Sequence, residues 1–169
     1  MTRKLMWSVA AAVAVVGAYA GTLLATPPNP PLFVGTTIAS GTFDDIDVHN
    51  HTVPGHWQEL LKTKGPSDLY VQSNTWKPGG TTGWHTHPGA SLIIITGGSV
   101  TAYEGDDPTC SPHLYVKGDT LVDPGGDHVH MIRNEGAVDA TGVAVQLIPS
   151  LAARRIDADR PAACPPTVN

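Results

Sequence analysis

Two histidines one residue apart, led in by a glycine-rich turn and led out by an aliphatic run, constrain this chain more than any other feature. The stretch runs Gly79-Gly80-Thr81-Thr82-Gly83-Trp84-His85-Thr86-His87-Pro88-Gly89-Ala90-Ser91 and continues Leu92-Ile93-Ile94-Ile95-Thr96-Gly97-Gly98. On an extended segment side chains alternate, so His85 and His87 point to one side and Trp84 to the other. A second glycine- and proline-punctuated stretch, Gly118 to Asn134, contains His128 and His130. It offers a third imidazole from another strand. Three imidazoles converging from two strands suit a divalent transition metal (Fe, Mn, Zn, Cu or Ni) and leave coordination positions open.

The rest of the chain reads as β structure. It has 169 residues, 41% hydrophobic, with 18 Gly and 15 Pro, which suits one turn-rich β domain better than a helical bundle. Expected strands lie at 58–63, 69–76, 92–96, 99–103, 114–116, 120–122, 128–133 and 141–148, with one or two edge strands between residues 32 and 54. Lys64-Gly65-Pro66-Ser67-Asp68 reads as a turn pairing the first two of these strands, and Gly97-Gly98 as a hairpin. Short strands at this spacing predict a jelly-roll barrel. The tail 151–159 reads as a short helix.

The two histidine segments resemble the paired motifs of the cupin superfamily. Gly79, His85, His87 and Gly98 fit the first, Gly-x5-His-x-His-x3,4-Glu-x6-Gly, with Ser91 where the family has Glu. Gly118, Pro124, Gly126, His130 and Asn134 fit the second, Gly-x5-Pro-x-Gly-x2-His-x3-Asn, with one extra residue before His130. The resemblance covers residues 57–149 and implies an all-β, single jelly-roll barrel over 32–169. It implies His85, His87 and His130 as ligands of one divalent metal. His128 is open as a fourth ligand, as a donor to a ligand, or as the true third ligand. Ser91 is open as a contact through water.

Without the glutamate, three neutral imidazoles leave the ion its full charge, which favours anionic or bidentate ligands. Three-histidine sites occur in this family among iron dioxygenases, so the resemblance implies a metal-dependent oxidoreductase acting on a small molecule. The alternatives are a non-catalytic barrel binding a metal or small ligand in the cell envelope, and a decayed site. Glu104 and Asp123 are candidate acid–base groups by proximity alone. Many cupins dimerise, so a homodimer is an expectation as well.

The N-terminal segment sets location. Arg3 and Lys4 precede an uncharged run from Leu5 to Ala25, with small-residue cleavage candidates at Ala18-Tyr19-Ala20 and Leu23-Leu24-Ala25. Residues 1–25 therefore read as a signal peptide or an uncleaved membrane anchor, followed by a proline-rich spacer at 26–31. Either places the domain outside the cytoplasm, secreted or in the envelope, with the membrane touched only through that segment. The only two cysteines, Cys110 and Cys164, then suggest one disulfide. The formal charge is −5, and with no basic cluster nucleic acid is excluded as a partner. His49, His51, His56 and His113 read as surface residues, and Trp76 and Tyr103 as barrel core or rim.

Overall fold

The computed structural model describes residues 26–51 and 57–168; the proposed signal or anchor, its cleavage candidates and His56 lie outside the described residues. Among the described residues there are twelve strands and no helix. They are β1 (Phe33–Phe43), β2 (Asp47–His51), β3 (Gln58–Lys62), β4 (Ser67–Trp76), β5 (His85–Thr86), β6 (Ser91–Gly97), β7 (Ser99–Glu104), β8 (His113–Val116), β9 (Thr120–Asp123), β10 (His130–Arg133), β11 (Ala140–Pro149) and β12 (Ile156–Asp157). Two antiparallel five-stranded sheets result, in the orders β1-β4-β11-β6-β9 and β12-β5-β10-β7-β8, with β2 and β3 as a separate ribbon. The chain keeps crossing between the two sheets on its way from β4 to β11, which is the jelly-roll winding.

Alternation along β6 shows how the sequence selects this sandwich. Ile93 and Ile95 are buried, whereas Leu92 and Ile94 are 57% and 50% exposed. The inward pair packs with Trp76, Val100, Ala102, Leu121, Ile132 and Ala140, drawn from both sheets, as one core. Each such burial contributes about 1.5–3 kcal/mol before ordering costs. On β10 the parity is reversed around Met131: His130 and Ile132 face inward, and Met131 faces out against Trp84 and Tyr103. The motif residue Asn134 is fully buried, and its Nδ2 donates to the Trp76 and Val138 carbonyls at 2.8 Å each. It closes the connection from β10 to β11.

Three pairings differ from the sequence expectation. The strands at 58–62 and 67–76 form, but β3 pairs with β2 and β4 lies between β1 and β11. A ten-residue strand gains far more by filling that slot than by folding back on β3, whose side chains are all exposed. Nor do β6 and β7 form a hairpin; they belong to opposite sheets. Gly98, at φ 63°, turns the chain against the Asp139 carbonyl, so the apolar faces of both strands meet across the core. The tail is not helical either. Leu151 is 98% exposed with φ 65°, outside α-helical geometry, and β12 pairs instead with β5.

Cys110 and Cys164 are joined, and both pack with Trp84, Tyr103 and Met131 on the outer face of the second sheet. The bond holds the tail over that face. Replacing both cysteines by alanine should remove about 3–4 kcal/mol, a fall in Tm of about 10 °C, measurable by calorimetry against the oxidised protein.

Candidate metal centre

The site begins with a backbone turn. Gly83 has φ 66°, and a Cβ there would run into the Thr26 carbonyl. The turn aims its own carbonyl at the His85 ring, which contacts it through Nδ1 at 2.8 Å. A carbonyl only accepts, so Nδ1 carries the proton and Nε2 keeps a lone pair. His87, just beyond β5, is set the same way: its Nδ1 donates to the Arg154 carbonyl at 2.5 Å. His130 sits directly across the ladder from His85. The ring centroids are 4.4 Å apart for His85–His130, 4.7 Å for His85–His87 and 5.5 Å for His87–His130. One ring nitrogen from each lies within 4.8 Å of the other two.

Burial lowers the pKa of all three imidazoles and so favours the neutral form. The pKa of His85 is pushed far down by burial, then by His130 and Arg155. That of His87 is lowered mainly by burial, against the opposing Arg154 carbonyl and Asp123. His130 is lowered by burial too, with Asp123 pulling the other way. Unprotonated nitrogens are what a metal requires. Four buried polar atoms in this region have no hydrogen-bond partner: His130 Nδ1, Asp123 Oδ2, Trp76 Nε1 and Arg155 Nη2. A cation would satisfy the first two, so the histidine donor set fits a divalent metal, whereas the indole and guanidinium N–H groups call for an acceptor.

The histidines end at a cavity of about 260 Å³ between the sheets. Ser91 is buried and lines it, without any carboxylate. His128 is not part of the cluster. The chain turns through Gly125 and Gly126, both at positive φ, and β10 begins only at His130, so strand parity does not reach back to residue 128. The His128 Nε2 instead meets Glu104 Oε2 at 2.6 Å, which also places Glu104 away from the cavity. Trp84 points away from the cavity into the outer cluster, and His49, His51 and His113 are exposed.

Sequence reasoning missed the tail's contribution. Arg154 donates to Gln146 Oε1 at 3.1 Å, Gln72 Oε1 at 2.8 Å and Thr37 Oγ1 at 2.7 Å, which fixes one cavity wall. Arg155 also lines the cavity; its Nε meets Asp157 at 2.5 Å, whereas its buried Nη2 has no partner. The paired arginines in an otherwise alanine-rich tail were the signal available.

No family model matches the sequence, and no curated protein matches it. Solved structures with a similar fold include proteins described as cupin-like or as of the cupin superfamily, among others. They include a cupin-like protein from Thermotoga maritima (22% identity, TM-score 0.46, 54% of this chain and 65% of that one). A predicted oxalate decarboxylase from the same organism aligns at 20% identity and TM-score 0.41, over 50% of this chain and 83% of that one. An oxalate oxidase aligns at 22% identity and TM-score 0.41, over 48% and 46%.

The lowered histidine pKa values fix a sign for stability. Between the ordinary value near 6.5 and the folded values, the unfolded chain binds more protons, so stability falls as pH falls. The metal-free protein should therefore show a flat Tm above pH 7 and a decline from about pH 6.5 to 5. Thermal scans in chelator should show that decline flattened in a His85→Ala/His130→Ala variant.

Proposed function

We propose that this chain is an exported metal-binding cupin that holds one divalent transition metal through His85, His87 and His130. At that site it acts on a small molecule as a metal-dependent oxidoreductase of the dioxygenase type. The observation carrying the reading is the convergence of three imidazoles, two buried and His87 half-buried, on one cavity. A metal held there supplies Lewis-acid and redox chemistry with coordination positions left for substrate.

The chain's own residues define what can enter. At about 260 Å³ the cavity suits a ligand of few heavy atoms. Phe33, Ile93 and Ile132 give it apolar walls that limit water. Arg155 offers a buried N–H, which favours an anionic group on the ligand. Gln72 and Gln146 each already accept from Arg154, and the three orient rather than react. Export is supported by the Cys110–Cys164 bond and by the reading of residues 1–25 as a signal or anchor. On this reading the barrel domain spans 32–169.

Elemental analysis of protein purified without chelator or immobilised nickel tests the site. Wild type should carry near-stoichiometric metal, and a His85→Ala/His87→Ala variant should retain less than about a tenth as much. Oxygen uptake with a panel of small carboxylates, thiols and diketones then tests the chemistry. Metal without turnover would favour the non-catalytic binding barrel, and metal-free wild type would overturn the proposal.

A further inference from the structure

Position 91 lacks the carboxylate that would neutralise part of a bound ion's charge, yet the strand beside it carries one. Ser91 on β6 and Asp123 on β9 are direct partners in the antiparallel ladder. Directly opposed residues point to the same face, with Cβ atoms about 4.5–5.5 Å apart. Both side chains are buried, each residue 3% exposed. A carboxylate at 123 therefore approaches the imidazoles from the side where one at 91 would.

Asp123 stands beside the group of three histidines whose donor atoms all lie within 4.8 Å of one another, outside that group, and reaches two of its rings. Asp123 Oδ2 lies 3.6 Å from His87 Nε2, the nitrogen left free by the bond from Nδ1 to the Arg154 carbonyl. Two ligands of one tetrahedral metal, at about 2.0–2.2 Å each, stand roughly 3.4 Å apart. Asp123 Oδ1 lies 3.6 Å from His130 Nδ1 and accepts the Gly125 N–H at 2.9 Å. The two imidazole distances are too long for hydrogen bonds, and Oδ2 has no partner. No lysine or arginine among the described residues pairs with this buried acid. An uncompensated buried carboxylate costs several kcal/mol, so the geometry calls for a cation.

We propose that Asp123 is the anionic ligand of the metal centre, the carboxylate having moved across the ladder from position 91 on β6 to position 123 on β9. This rests on the three-histidine metal reading above. With Asp123 the donor set lowers the formal charge of a divalent ion from +2 to +1, and a small anion is held less tightly than at an all-imidazole site.

The test is titration of the metal-free protein with Co(II), read by visible absorption and by calorimetry, in wild type, Asp123→Asn, Ser91→Glu/Asp123→Asn and His85→Ala. The proposal expects Asp123→Asn to weaken Co(II) binding at least tenfold and to change the visible band. It expects the double variant to recover most of the loss by returning a carboxylate to position 91. Asn can still accept the Gly125 N–H, so the Tm of metal-free Asp123→Asn should equal or exceed that of metal-free wild type. Wild-type-like affinity in Asp123→Asn overturns the proposal, while loss of binding in His85→Ala shows the histidine site still stands. Weaker binding with a lowered metal-free Tm and no recovery in the double variant also overturns it, and makes Asp123 a structural residue of the Pro124-Gly125-Gly126 turn. Wild type that binds no Co(II) defeats the metal reading itself.

Discussion

The ladder contact between β5 and β10, where His130 stands opposite His85, is the constraint from which the site is built. A shift of one residue would turn His130 outward and bring Met131 into the cavity. The outer cluster resists that slip, because Met131, Trp84 and Tyr103 are all buried on the opposite face of the same sheet. Apolar packing outside the barrel thus fixes the orientation of polar groups inside it. The backbone carbonyls of Gly83 and Arg154 then choose the tautomers of His85 and His87, leaving one nitrogen on each for the cavity.

Much of this was legible in the chain, and the limits have physical causes. Strand positions followed from alternation and turn residues, which are local. Strand partners did not, because Gly97-Gly98 reads the same whether the chain folds back in one sheet or crosses to the other. What decides is the core that Ile93, Ile95, Val100 and Ala102 share, and that is visible only in three dimensions. The His-x-His pair was legible because period two is a strong rule on an extended segment. For His128 the rule did not apply, since that residue sits in the turn before β10. Asp123 could be named only by proximity; its position opposite Ser91 depends on a register that neither segment encodes alone.

The tail was the least legible part. Residues 150–159 carry alanine, arginine and aspartate in an order that permits a helix, and local propensity is weak beside the pairing that β5 offers. Once there, the segment contributes through both backbone and side chain. Its carbonyl orients His87, and Arg154 crosses to residues on β1, β4 and β11. A wall of the cavity is therefore built from chain that follows the last long strand.

That arrangement makes the tail a fastened part of the site rather than a trailing end. β12 is two residues long and pairs only with β5, yet its segment is also tied by Arg154 to Thr37, Gln72 and Gln146 and by the Ala158 N–H to the Trp84 carbonyl. The carbonyl that holds His87 in its tautomer also accepts from Gln146 Nε2 at 3.1 Å, so β11 shares in setting that ring. The Cys110–Cys164 bond fastens the chain again beyond β12, so the residue that orients His87 lies between β11 on one side and a covalent link on the other.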